Sequence, residues 1–183
     1  MPLNLPSYDE NNFSFGPGRL FLGAAGTTPT VDVGAITEDG ITISPENATK
    51  DIMQGNPKLI VHTFNQQQGV VVEATGIEWN FTTLAYALGA GNTTSSGSED
   101  TLVFGGEPLT HKVAIHVQHQ MAVTGHTLNA YIWQAVSNGN PTLPLGHDEH
   151  QFALSWKAQR VATDWAGASL DSEAQLMKIQ RAK

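Results

Sequence analysis

The stretch VVVEATGIEWNFTTLAYALG, residues 70–89, decides how the rest of the chain is read. Its first half is rich in β-branched side chains and makes the strongest strand signal in the first half of the sequence. Its second half changes period. Phe81, Leu84, Ala85 and Leu88 recur at i, i+3, i+4 and i+7, Asn80 stands where a helix cap belongs, and Gly89 sits where a left-handed residue ends a helix. A strand running into one short capped helix predicts a sheet with a packing helix laid across it.

Working outward, the same period-two logic finds more strands. Towards the C-terminus, Phe152, Leu154, Trp156 and Ala158 share one face of a segment at 151–162, while Gln151, Ser155 and Lys157 share the other. Further strands are expected at 101–105, 112–118 and 127–136. Towards the N-terminus, a turn at 16–18 leads into an apolar strand at 19–23. A Gly/Thr/Pro loop follows at 26–29, then alternation at Val31, Val33 and Ala35, a hairpin-type turn at Asp39-Gly40, and Ile41 and Ile43 beyond it. Residues 44–57, with Pro45, Asn47, Gly55, Asn56 and Pro57, are read as a long loop and a candidate subunit contact. A β-branched run at 59–64, a Gln-rich turn at 65–69 and a flexible Gly/Asn/Thr/Ser stretch at 89–98 complete the first half. From about Ser169 an amphipathic segment carries its acids first and its bases last, as a short helix would. About eight strands and one or two helices make the fold mainly β, a sandwich or barrel of two packed sheets with a short flanking helix and extended terminal arms.

Composition narrows the function. The 183 residues fit one core, and charged residues are 14% against the usual ~25%. There are 17 acids and 9 bases, net −8. With Asp171 and Glu173 set against Lys178, Arg181 and Lys183 in the last thirteen residues, the body keeps 15 acids and 6 bases, net −9. A tight grip on nucleic acid needs a basic patch, which this balance does not offer. The absence of cysteine removes disulfides, thiolate metal sites and thiol nucleophiles. No apolar run reaches the length of a membrane span, and the polar start lacks a signal-peptide core, so a soluble intracellular product with no membrane partner is expected. The Asn-X-Ser/Thr triplets at Asn12, Asn47, Asn80 and Asn92 are then chance matches.

Catalytic equipment is hard to find. His116 and His119 are three apart, so a strand points them to opposite faces. His147-Asp148-Glu149-His150 lies in a proline-bounded loop without the helical His-Glu-X-X-His of a zinc protease. His62, His111 and His126 carry no motif. No nucleophile elbow, phosphate loop or dinucleotide fingerprint occurs. Carboxylate pairs drawn from Asp32, Glu38, Glu73 and Glu78 are what any acidic β-protein offers. Trp79, Trp133 and Trp156 lie in patterned strands and are read as core. No enzyme, cofactor or metal is expected. Two rivals stand beside that reading: a carbohydrate-binding or adhesin sandwich stacking sugar on Trp79, Trp133 or Trp165, and a metal-assisted hydrolase using His147, Asp148 and His150.

The run Gly18-Arg19-Leu20-Phe21-Leu22-Gly23, then Thr27-Thr28-Pro29, Val33-Gly34-Ala35 and Asp39-Gly40-Ile41-Thr42-Ile43, resembles the opening of phage tail tube proteins. The order of later features, through Trp79-Asn80 and Leu88-Gly89, is similar as well, and the resemblance spans roughly residues 15–162. It implies an N-terminal arm (1–15), a β-sandwich tail-tube domain (16–165) and a C-terminal arm or short helix (166–183). It also implies a structural virion protein, made in the host cytoplasm, whose hexameric rings stack into a hollow tube. Its partners would be copies of itself, a tape-measure protein in the lumen, passing double-stranded DNA held without tight binding, and tail terminator, baseplate and sheath proteins. A tail-terminator or capsid-decoration subunit is the related alternative. On this reading Asp32, Glu38, Glu73 and Glu78 are candidates to face the lumen, where acids repel phosphates. Residues 44–57 and both termini would make most of the contacts between rings, so deletion of residues 1–12 should leave a folded subunit that forms no tubes.

Overall fold

The computed structural model describes residues 14, 16, 18–106, 110–121, 125–139, 141–144, 150–170 and 175–182. They form β1 (Arg19–Ala24), β2 (Val31–Asp32), β3 (Ile36–Gln54), β4 (Leu59–Gly76), α1 (Phe81–Leu88), β5 (Gly91–Ser96), β6 (Glu99–Phe104), β7 (Lys112–Gln120), β8 (Thr127–Ser137), β9 (Phe152–Ala158) and β10 (Lys178–Ala182). The chain is mainly β with one short helix. The large sheet runs β2-β1-β7-β8-β9-β4-β3, β10 also pairs with β8, and β5–β6 is a separate two-stranded sheet. Every strand pair is antiparallel.

A corner in β8 turns the large sheet into two layers. The first part of β8 pairs with β10, from Thr127↔Ala182 to Tyr131↔Lys178. Its last part pairs with β9 through Ala135↔Ala158, Val136↔Lys157 and Ser137↔Trp156. Between the two parts, Val113 opposes Ala135 and Ile115 opposes Ile132, so Trp133 and Gln134 together face Ala114. This is a β-bulge, which bends its strand and adds twist. One layer is therefore β2-β1-β7-β8-β10 and the other β9-β4-β3, a sandwich-like arrangement.

The core lies between the layers. Leu20, Leu22, Val113, Ile115, Val117, Ala130 and Ile132 come from the first, and Val70, Val72, Ala74, Phe152, Leu154 and Trp156 from the second. Ile41 and Ile43 of β3 share a cavity of ≈ 260 Å³ with Val117, Leu128 and Ala130, so the two layers face one another there as well. Helix α1 adds Leu84 and Ala87 to the core. Asn80 Oδ1 accepts from the Thr82 and Thr83 N–H groups at 3.0 and 3.2 Å, and Gly89 closes the helix at φ 69°. The indole N–H of the fully buried Trp156 donates to the Tyr86 carbonyl at 3.2 Å, tying β9 to the helix.

Several sequence readings need correction. Residues 44–57 are not a long loop, and 65–69 are not a turn. Both belong to the β3–β4 hairpin, whose register runs from Ile36↔Gly76 to Gln54↔Leu59. Asp39-Gly40 does not reverse the chain. Residues 37–40 bulge out of β3 between its pairs at Ile36 and Ile41, with Gly40 at φ 71°. The stretch 89–98 contains β5, paired residue for residue with β6. The C-terminal segment is a strand at 178–182, not a helix, and joins the large sheet. Residues 1–13, 15 and 171–174 lie outside the described residues, while Ser14 bridges to Met121.

Candidate functional site

The most distinctive surface is the outer part of the β3–β4 hairpin. At its base, β4 alternates Val70, Val72 and Ala74 inward, and β3 answers with Ile41 and Ile43. Beyond Pro45↔Val70 and Glu46↔Gly69 the hairpin leaves the core, and residues 45–68 are all exposed. At ~3.3 Å per residue, the ten residues from Pro45 to Gln54 extend the arm by roughly 30 Å. The Asn56–Pro57 peptide at the tip is cis.

Two bulges divide the arm. The partners of Ala48 and Thr49 are Gln67 and Asn65, leaving Gln66 unpaired, and the partners of Ile52 and Met53 are His62 and Ile60, leaving Val61 unpaired. Between these bulges the pairs Lys50↔Phe64 and Ile52↔His62 share one face, and Thr49↔Asn65 and Asp51↔Thr63 share the other. The first face sets Ile52 and the stacked pair His62 and Phe64, 6.5 Å apart, beside the Lys50 side chain. The second is polar, with the Thr63 hydroxyl donating to Asp51 Oδ1 at 2.6 Å. Near the tip Met53, Leu59, Ile60 and Val61 add apolar surface on both sides. Exposure of the arm's large hydrophobics runs from 40% at Phe64 to 65% at Leu59. Contiguous apolar surface of this kind marks an interaction site.

The arm also carries an open edge. β3, 19 residues long, ends the strand order of the large sheet, and no strand pairs with its outer edge among the described residues. A long unpaired edge is a template for another strand. Pro45, without an N–H, is tolerated on an edge strand. The Lys157–Glu46 ion pair at the arm's base, 3.8 Å apart and exposed, adds little stability.

Of the contact candidates, Pro45 and Asn47 lie in β3, while Gly55, Asn56 and Pro57 form the tip. The acids do not converge. Asp32 lies on β2 opposite Phe21 and is ion-paired to Arg19. Glu73 lies mid-β4 on the face away from the core, opposite Ser155 and Thr42. Glu38 sits with Asp39 at the cavity beside Ile41. Glu78 Oε2 accepts from the Ala35 N–H at 3.0 Å, and Gly34 (φ 85°) leaves room for that carboxylate, with which a Cβ would collide.

His116 and His119 part as the strand period requires. His116 is stacked on Tyr131 at 5.0 Å and its Nε2–H donates to Asn129 Oδ1 at 3.0 Å, while His119 lines the cavity. His147, Asp148 and Glu149 lie outside the described residues. Among the described residues no three His, Asp or Glu side chains are grouped to hold a metal ion, and no helix is long and apolar enough to cross a membrane. Trp133 and Trp156 are buried, but Trp79 is 41% exposed, against its reading as core. The strand ends at Gly76, so the alternation that placed Trp79 inside does not reach it. No family model matches the chain, and no curated protein matches it.

Proposed function

We propose that this chain is a structural subunit that joins copies of itself into stacked hexameric rings, forming the hollow tail tube of a phage. The observation that carries the reading is the β3–β4 arm, long, open-edged and apolar where it has no core of its own to cover. Head-to-tail contacts between unlike patches close rings and repeat along an axis. The open edge of β3 suits pairing with a strand of a neighbouring copy, and the arm's apolar face suits burial against the next ring. The resemblance of residues 15–162 to tail tube proteins points the same way. Glu73, on the outer face of the β9-β4-β3 layer, is the better candidate to line an acidic lumen that lets DNA pass, since Asp32 lies on the outer face of the other layer and is ion-paired to Arg19.

The test is negative-stain microscopy of the purified chain beside a variant in which residues 47–67 are replaced by a tight turn. The expected result is hollow six-fold filaments from the parent and folded, unassembled subunits from the variant. Single closed rings from the parent would point to a terminator subunit. A parent that stays monomeric at every concentration, or tubes from the shortened variant, would overturn the reading.

A further inference from the structure

A groove of ≈ 710 Å³ lies between the start of α1 and the far end of the β5–β6 hairpin. That is the volume of an ordinary small-ligand site. On one side stands Trp79, held by Phe152 (centroids 5.9 Å apart, planes at 57°) and by the edge-on ring of His150 at 6.0 Å. Two ring contacts fix the indole while it stays 41% exposed. On the other side are Thr93, Thr94 and Ser95 of β5 with Asp100 and Thr101 of β6. Thr93 pairs with Leu102 and Ser95 with Asp100, so these four side chains share a face. Leu102 packs on the core, so this face is turned towards the body, where α1 lies.

The lining selects a ligand chemistry. The Thr82 and Thr83 N–H groups at the helix start are already taken by Asn80, and among the described residues no Lys or Arg lines the groove and Asp100 is its one carboxylate. A phosphate or other anion finds no countercharge among these residues and would face the Asp100 carboxylate. A flat apolar ring facing a row of hydroxyls and a carboxylate suits a molecule with one C–H face and an edge of hydroxyls. A tryptophan supplies the rigid apolar surface for such a face, and hydroxyls both donate and accept at its rim. We propose that this groove binds a neutral oligosaccharide, with a pyranose ring stacked on Trp79 and its hydroxyls bonded to Thr93, Ser95 and Asp100. The site is separate from the β3–β4 arm and independent of the assembly reading.

The experiment titrates the full chain with malto-, cello-, chito- and mannotriose, followed by calorimetry and saturation-transfer NMR. At least one trisaccharide should bind, with an affinity that does not change from low to high salt. Trp79→Ala should weaken it by about tenfold or more, the scale of losing a stacked ring. Because Trp79 also touches Phe152, Asp100→Asn serves as a second variant on the exposed hairpin, and it should weaken binding with the melting temperature unchanged. Binding of none of the four sugars, or full affinity in both variants, would overturn the proposal. So would loss of the groove's solvent exposure on self-assembly without sugar, which would make it a contact between copies.

Discussion

Replacing Leu59, Ile60 and Phe64 together by serine removes apolar surface from the arm without touching the core. These side chains are 65%, 57% and 40% exposed in the free subunit. Fully burying such a side chain is worth ~1.5–3 kcal/mol, so covering the exposed half contributes about 1 kcal/mol each and about 3 kcal/mol per subunit contact. At ~1.4 kcal/mol per factor of ten, the concentration needed for assembly should rise about a hundredfold. The subunit itself should change little, since exposed substitutions usually stay within ~0.5 kcal/mol apiece. Sedimentation velocity over a concentration series reads the first quantity, and urea unfolding of the unassembled subunit reads the second. Assembly at the parent's concentration would show that the arm's apolar face is not buried between copies. Lost assembly with an equally large loss of subunit stability would show that the arm supports the fold instead.

Two further substitutions test the fold that carries the arm. Trp156→Phe removes the donor to the Tyr86 carbonyl and part of a fully buried side chain; urea unfolding should report a loss of about 2–4 kcal/mol, and a loss under 1 kcal/mol would contradict the packing described. Gly34→Ala forces a side chain into a left-handed backbone at φ 85° and against the Glu78 carboxylate; thermal unfolding should show a loss of about 1–2 kcal/mol, with the Ala35–Glu78 bond weakened.

The parts legible in the sequence were those with one face buried. Phe152, Leu154, Trp156 and Ala158 alternate because β9 packs inward on one side, and all four are buried as that alternation requires. Asn80 and Gly89 announced both ends of α1, because caps are local chemistry. Apart from its β-branched run at 59–64, the arm was not legible, for the opposite reason. Exposed on both faces, residues 45–68 have no period-two signature, and Pro45, Gly55 and Pro57 then read as loop chemistry. The same holds for β5, where only Gly91 is buried, and for β10, exposed throughout. In β10 the acid-to-base gradient of the C-terminal segment imitated a helix dipole. Trp79 was misplaced by extending the pattern of β4 past Gly76. The bulge at Trp133 and Gln134 that bends β8 leaves no mark in composition, since it depends on which residues β7 offers opposite.

That bend has a thermodynamic consequence. Because β8 belongs to both layers, neither layer can open without disturbing a strand the other needs, and the sandwich should unfold in one cooperative step. The outer arm stands outside this unit. Its amides depend on a two-stranded ladder that is marginal by itself, so they should exchange with solvent through local opening long before the amides of β7, β8 and β9. The free subunit thus divides into a slowly exchanging body and a fast segment at 45–68, and a gain of protection in that segment is the signature by which any docking of the arm can be followed.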